Sequence, residues 1–267
     1  MISQLRAITV VAAIAGSFTT MAQAHTPYLA PTSFDPLHQG WVTLDAAFTE
    51  HFFKPEVVFD DSEFAVLDTS GKWRKPQTVQ LLRTRAVIEH QLTDKGTYRF
   101  STGVRHGAVF RLYELDGERK GTRDPQEELP AGAKILDHFQ SVTLAETYIT
   151  RGAPTTAALR AHGEGLELVA VTHPNDLYEG EVFRAQILFA GQPLGDQEVE
   201  VFPANAGAGH DAAVLKVKSD GGGFVDLATP RAGEYLLQTR YRTDAPAGAA
   251  APRYSYTYTL AFEVGEQ

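Results

Sequence analysis

The sequence contains no cysteine, and this absence removes several kinds of chemistry. Without a thiol the chain forms no disulfide, holds no metal through a thiolate and offers no site for a cysteine-linked lipid anchor. The two methionines, Met1 and Met21, both lie near the N-terminus. A metal bound by the rest of the chain would therefore meet imidazole, amine and carboxylate donors. This set suits Cu(II), Ni(II), Co(II) and Zn(II) and disfavours Cu(I).

Long apolar runs are also missing, apart from one short run near the start. Residues 1–6 carry one positive charge, residues 7–18 are apolar, and residues 22–24 (Ala-Gln-Ala) match a signal peptidase site. The apolar run is too short to span a bilayer, and no later stretch is long enough. We therefore predict a signal peptide over residues 1–24 that is cleaved before His25, a periplasmic mature protein and no membrane insertion.

Basic residues are fewer than acidic residues. The chain has 24 Lys and Arg against 33 Asp and Glu, a formal net charge of −9. This balance argues against nucleic acid and anionic membrane surfaces as partners. An acidic excess of this size also serves solubility alone.

Catalytic motifs are missing as well. The chain has no Gly-x-Ser-x-Gly elbow, no His-Glu-x-x-His helix and no cysteine nucleophile. The glycine-rich stretch "SDGGGF" at 219–224 follows no strand–loop–helix pattern, and a hairpin turn explains it better than a phosphate site. We expect a protein that is not an enzyme.

Short strands separated by Gly and Pro fill the rest of the sequence, which predicts an all-β fold. A weakly apolar segment with Gly and Pro, 152–165, divides it. We predict two tandem immunoglobulin-like β-sandwich domains after the signal peptide, over 25–165 and 166–267. Within the second, 254–264 alternates apolar and polar residues, so one face should be buried. The only helix signal is a short one over 155–160.

A Gly-x-Tyr pattern occurs at the start of one predicted strand in each domain, with Tyr98 in the first and Tyr235 in the second. A tyrosine at such a position can bond its hydroxyl back to the preceding turn, as in the corners of sandwich domains. We therefore predict a structural role for both.

Cleavage before His25 would give the mature chain an N-terminal histidine. Its α-amine and ring Nδ1 can together chelate one metal ion, because the amine loses its proton at modest cost once a metal competes. Pro27 has no amide proton, so the backbone-amide type of N-terminal copper site is blocked and further ligands must come from the fold. The alternative is that His25 has no function and lies on a frayed terminus. Burial of the apolar residues Tyr28 and Leu29 would instead hold this terminus in place.

Further imidazoles are the natural additional ligands, and we select His51, His90 and His138 as candidates with His25. His51 and His138 each follow an acidic residue that can ligate or orient the ring. His90 shares a predicted strand face with apolar residues, so a buried core histidine is the alternative there. No short cluster of histidines supports the site by spacing alone.

Several stretches resemble a bacterial periplasmic family of uncharacterised domains that is labelled as the periplasmic component of cobalt or nickel uptake. The stretches are "AHTPYLAP" (24–31), "VTLDAAFTEHFFKPEVVFDDSEF" (42–64), "GTYRFSTG" (96–103) and "THPNDLYEGEVF" (172–183), together with the C-terminal module. The family's usual start has an aromatic pair, where this chain has a proline and one aromatic. The resemblance implies a metal-binding protein that accompanies metal uptake or homeostasis, with a membrane metal transporter as partner and His25 as the position that transfers directly.

Two alternatives from other functional classes remain open at this stage. A copper monooxygenase acting on polysaccharide also begins with histidine on a β-sandwich, but it needs a second copper-binding histidine in the right geometry. A metal-free adhesion or scaffold module needs nothing beyond the strands.

Overall fold

A computed structural model describes residues 25–36, 38–204, 206, 212–229 and 231–266. The predicted signal peptide, 1–24, lies outside them. Strands make up nearly all regular structure in the described part, which contains no helix long and apolar enough to cross a membrane. Where a short helix was expected over 155–160, a single 3-10 turn forms at Ala157–Leu159, and another lies at His38–Gly40.

Strands of the first half surround one core. They are β1 (Thr26–Pro31), β2 (Trp41–Thr49), β3 (Val57–Val58), β4 (Ala65–Leu67), β5 (Trp73–Arg74), β6 (Thr78–Leu81), β7 (Ala86–Gln91), β8 (Gly96–Ser101), β9 (Arg105–Leu115), β10 (Glu118–Thr122) and β11 (Lys134–Arg151). One sheet has the order β1-β2-β7-β6, with β3 paired to β2. Its inner residues, such as Leu44 and Ile88, pack against Val66, Phe100 and Ile149 of the facing sheet. This is a β-sandwich, with side chains alternating between core and solvent.

Strands of the second half form another sandwich. They are β12 (Leu166–Ala170), β13 (Val182–Phe189), β14 (Gln192–Pro193), β15 (Glu198–Pro203), β16 (Leu215–Lys218), β17 (Phe224–Ala228), β18 (Gly233–Asp244) and β19 (Arg253–Val264). Strands β12, β13, β14 and β17 form one sheet. Its Phe183 and Ile187 pack in one core with Leu237, Leu260 and other residues of the facing strands.

A single large sheet runs through both sandwiches, in the order β16-β15-β18-β19-β11-β8-β4-β5, with β9 on β11 and β10 on β9. The halves meet where β11 pairs with β19 in parallel, from Phe139 opposite Arg253 to Thr147 opposite Ala261. The predicted all-β fold with immunoglobulin-like sandwiches is confirmed. The boundary after residue 165 falls directly before β12 and stays a prediction.

The alternating pattern in β19 has the predicted effect. Tyr258, Leu260 and Phe262 are buried in the second core, while Tyr254 and Tyr256 nearer the start of the strand are half-buried. Alternate residues of a strand point to opposite faces, so this row forms one inner face of the sandwich.

Both predicted tyrosine corners are present. The hydroxyl of Tyr235 donates to the carbonyl of Arg231 at 2.7 Å, and that of Tyr98 donates to the carbonyl of Asp94 at 3.2 Å. Each bond closes a turn before its strand, as in immunoglobulin-like sandwiches.

Strand β1 is buried along its whole length between the two halves. Leu29 faces the first core, whereas Tyr28 and Ala30 belong to a separate apolar cluster with Phe202 and Leu236 of the second half. The hydroxyl of Thr259 also donates to the carbonyl of Pro27 at 3.0 Å. The segment that follows His25 is therefore held on both sides rather than frayed.

Candidate metal centre

His25 is positioned by the pairing of β1 with β2. Thr26 lies opposite Thr49 in the antiparallel register, so His25 lies beside the residues that leave β2, Glu50 and His51. Since β1 is anchored by burial, the sequence places a histidine at a fixed point next to an acidic turn.

The turn that leaves β2 is organised by Thr49. Its hydroxyl lies 2.8 Å from the carbonyl oxygen of His51 and 2.6 Å from that of Lys54, and it accepts the His51 N–H at 2.9 Å. The Glu50 N–H donates to Oε1 of Glu56 at 3.2 Å. Local bonds from a threonine side chain to the backbone are a common way to close such turns. They bring the Glu56 carboxylate back towards His25.

Two carboxylates face the His25 ring. Nδ1 of His25 lies 3.6 Å from Oε2 of Glu56 and 3.8 Å from Oε1 of Glu50. The other oxygen of Glu56 lies 3.8 Å from Nδ1 of His51, so Glu56 stands between the two imidazoles. The structure therefore brings together two of the four predicted ligands, His25 and His51.

The Nδ1 atom of His25 is buried and has no hydrogen-bond partner among the described residues. The ring itself is about a third exposed, so this nitrogen points inwards, to the carboxylates. Buried polar atoms in proteins are nearly always satisfied, and one that is not calls for an explanation. The atom in question is the one that would chelate a metal together with the α-amine of a processed chain.

The distances fit an ion between these groups. Two donors that each lie ~2.1 Å from one metal are at most ~4.2 Å apart, and the distances from Nδ1 of His25 to both carboxylates fall within that limit. Among the described residues, no three His, Asp or Glu side chains already converge on one point. The donor types fit a divalent ion, and side-chain rotation at the partly exposed Glu50 and Glu56 would have to complete the site.

His90 lies elsewhere, on β7. It pairs with Val42 of β2, whereas His25 adjoins Thr49 at the other end of that strand, seven residues and about 23 Å away. Its ring meets the edges of Tyr98 and Phe100 at centroid distances of 6.5 and 6.0 Å, and burial lowers the pKa of His90. The structure does not bring it to His25.

His138 lies on β11, beside a shallow groove that Val109, Arg111 and Asp124 help to line. The adjacent carboxylate, Asp137, forms ion pairs with Arg242 and Arg253. Thr259, whose hydroxyl bonds to Pro27, lies opposite Ala145, seven residues along β11 from His138, so His138 is not brought to His25 either.

Glu56 was not predicted as part of the site. It lies beyond a turn, and only the return of the chain along β3, which pairs with β2, brings it back to His25. The pairing of β1 with β2, which was not predicted, was the missing information.

A second polar cluster, also missed, adjoins the core of the second half, to which its Tyr258 belongs. The buried Glu146 carboxylate bonds to Nε2 of His162 at 2.8 Å and to the Tyr258 hydroxyl at 2.9 Å, and it lies 3.7 Å from Nε of buried Arg99. Burial disfavours ionised Glu146, but Arg99 and these bonds outweigh it, so its pKa lies below the usual range. Trp73 stacks on His162. An acidic residue within an apolar strand, "TLAETYIT", was the available signal.

Comparison with known proteins gives a family but no activity. No curated protein matches the sequence. Among solved structures, the D0-D1 domain of intimin is 12% identical with a TM-score of 0.22, covering 88% of this chain and 96% of that one. The FN1-FN3 domains of chicken CNTN1 are 10% identical with a TM-score of 0.24, covering 90% and 98%.

The sandwich architecture is established by the sheets and cores described above. The family described as a domain of unknown function, DUF4198, matches residues 22–243. The chain therefore belongs to the DUF4198 family.

Proposed function

We propose that this protein binds a divalent transition metal at His25 and accompanies metal uptake or homeostasis in the periplasm. The proposed ligands are the His25 ring, its α-amine once residues 1–24 are removed, and Glu56, with Glu50 and His51 as further donors. The supporting observation is the buried Nδ1 atom of His25, which lacks a hydrogen-bond partner in the described structure and faces two carboxylates.

Without an ion, this arrangement is unfavourable in free energy. A buried polar nitrogen without a partner costs about 1–3 kcal/mol. A divalent ion would satisfy the nitrogen and neutralise the carboxylates beside it. The acidic, nitrogen-containing donor set suits Co(II), Ni(II), Cu(II) or Zn(II).

Anchoring of the strand after His25 supports the same proposal. All six residues of β1 are buried, and Arg240 donates to the hydroxyl of Thr26 at 3.0 Å. A chelating terminus held in this way loses little conformational freedom when it binds.

A membrane metal transporter as partner is proposed on the resemblance to the cobalt and nickel uptake family alone. The copper monooxygenase alternative depends on the same residues, because His51 is the imidazole that shares a carboxylate with His25. Copper-loaded protein given a reductant, molecular oxygen and polysaccharide distinguishes the two, since only the monooxygenase forms oxidised sugar.

Calorimetric titration of correctly processed protein with each of the four ions tests the proposal. We expect His25→Ala to lower the affinity for the preferred ion by at least about tenfold and His51→Ala to lower it less. His138→Ala, on the far part of β11, is the matched control and should bind like the unmodified protein. Equal binding by His25→Ala and His138→Ala would leave the metal-free scaffold as the better account.

A further inference from the structure

The segment 69–88 is a basic island in an acidic chain. It contains five basic residues and no acidic residue, although the whole chain carries a net charge of −9. The island covers β5, β6 and the start of β7.

Part of this charge is neutralised within the fold. Arg74 pairs with Asp68 at 2.5 Å, and Arg85 pairs with Asp45 at 2.6 Å. The other three cations, Lys72, Lys75 and Arg83, are exposed and have no ion-pair partner in the described part of the chain. Lys75 precedes β6 and Arg83 follows it, so unpaired positive charge stands near both ends of this strand.

Strand β6 is the last strand of its sheet. It pairs only with β7 among the described strands, and all four of its residues are exposed. In an antiparallel edge strand, alternate residues direct their N–H and C=O groups away from the neighbour. These groups can pair with one more strand.

Apolar side chains accompany this edge. Val79 lies opposite Ile88, and Leu81 lies opposite Ala86. Ile88 and Ala86 are core residues, and directly paired residues share a face, so Val79 and Leu81 lie on the core face of the sheet. They are nevertheless 40% and 52% exposed.

Two other edge strands lack this combination. On β16, Lys216 lies 3.8 Å from Glu200, and Lys218 lies 2.9 Å from Asp196. Edge strand β10 (Glu118–Thr122) carries both signs of charge and no large apolar residue. Such edges resist pairing with another chain.

We propose that β6 is the docking strand for an extended acidic segment of a partner protein, which adds to the sheet beside it. Main-chain hydrogen bonds would supply affinity, and alternate apolar side chains of the partner would cover Val79 and Leu81. Acidic side chains of the partner would meet Lys75 and Arg83, which reject a basic strand. This surface is separate from the His25 site and does not depend on metal.

Binding of a fluorescein-labelled peptide of alternating glutamate and valine tests the proposal, with a lysine–valine peptide for comparison. We expect only the acidic peptide to bind, and we expect it to slow amide hydrogen exchange in residues 78–82. The variant Lys75→Glu/Arg83→Glu should weaken binding by at least about tenfold. Arg119→Glu/Lys120→Glu on β10 is the matched control and should bind the peptide normally.

A second peptide separates strand addition from simple charge attraction. Methylation of the backbone nitrogens along one edge of the acidic peptide removes main-chain donors and leaves its charge unchanged, so we expect binding to be lost. Equal binding of the methylated peptide, or no effect of the Lys75→Glu/Arg83→Glu variant, would overturn the proposal. Tighter binding of a DNA duplex that the same variant abolishes, or dimerisation of the protein through residues 78–82, would also overturn it.

Discussion

Nδ1 of His25 and the Glu56 carboxylate face each other at 3.6 Å, a separation too long for a hydrogen bond and suited to an ion between them. The contact joins His25, the residue before β1, to the far end of a turn that begins 24 residues later, at Thr49. It forms because β1 pairs with β2 and because Thr49 closes the turn that returns Glu56.

Replacement of Glu56 by glutamine tests whether this carboxylate holds the ion. The amide keeps the size of the side chain and one oxygen, but it removes the charge beside the ring. We expect the affinity for the preferred divalent ion to fall by about tenfold to a hundredfold in calorimetry. Glu63→Gln, at an exposed position seven residues further along the chain, is the control. Identical affinities for the two variants would remove Glu56 from the site.

The buried pair of Arg99 and Glu146 gives a stability prediction. Replacing Glu146 by glutamine leaves the Arg99 guanidinium, which is 1% exposed, without a countercharge. We expect a loss of about 3–5 kcal/mol in the free energy of unfolding, measured by urea denaturation. Adding Arg99→Met should recover part of that loss, since the unpaired charge is then gone. A loss below 1 kcal/mol, similar to that of exposed Glu164→Gln, would contradict the prediction.

The Glu146 carboxyl also makes the stability of the fold depend on pH. The pKa of Glu146 is lower in the folded protein than its unfolded value of about 4.3, so the unfolded chain binds a proton more readily. Its stabilising contribution is complete above that value and is lost as pH falls through the folded pKa. The difference in unfolding free energy between the unmodified protein and Glu146→Gln should therefore shrink below about pH 4. A difference that stays constant down to pH 3 would argue against this.

Replacement of His90, in contrast, should stabilise the folded protein. Burial lowers its pKa and its Nδ1 has no hydrogen-bond partner in the described structure, so folding keeps the ring neutral. Because the unfolded chain takes up a proton below about pH 6.5, this residue costs stability as pH falls from 7 to 5. We expect His90→Phe to raise the melting temperature, most at pH 5, and to leave metal affinity unchanged. A melting temperature that falls, or a loss of metal affinity, would show that the ring has a role we have not assigned.

The two tyrosine corners allow a paired comparison. Tyr235→Phe removes one bond, to the carbonyl of Arg231. Tyr98→Phe removes the bond to the Asp94 carbonyl and also the one that its oxygen accepts from the Asp94 N–H at 2.9 Å. At about 1 kcal/mol for each bond, we expect Tyr98→Phe to be the more destabilising in urea denaturation. If Tyr235→Phe is instead the more destabilising, the number of hydrogen bonds removed does not determine the loss of stability.

Local patterns predicted much of the fold. Turn residues and period-2 alternation identified the all-β class, the buried face of β19 and both corners, because these features depend on neighbours in sequence. The parallel pairing of β11 with β19 was not predicted, since it joins residues more than a hundred positions apart. The local sequence pattern does not show that the two halves share one sheet.

Prediction of the site was limited in the same way. His25 and His51 were selected from the predicted cleavage point and from a neighbouring carboxylate, and the structure places them on either side of Glu56. His138 was selected on the same signal as His51, a neighbouring carboxylate, and His90 as an imidazole on an apolar strand face; neither signal gives information on distance. Glu56 was missed because its proximity to His25 depends on how β1 pairs with β2.

The most direct test compares processed protein that begins at His25 with the same protein carrying one glycine before it. The extra residue converts the α-amine of His25 into an amide and leaves every side chain in place. We predict that calorimetry with Zn(II) or Co(II), ions that do not displace the amide proton of the new Gly-His start, will show at least about tenfold weaker binding for the extended protein. Equal affinity for the two proteins would contradict the chelate at His25 and the metal-binding function built on it.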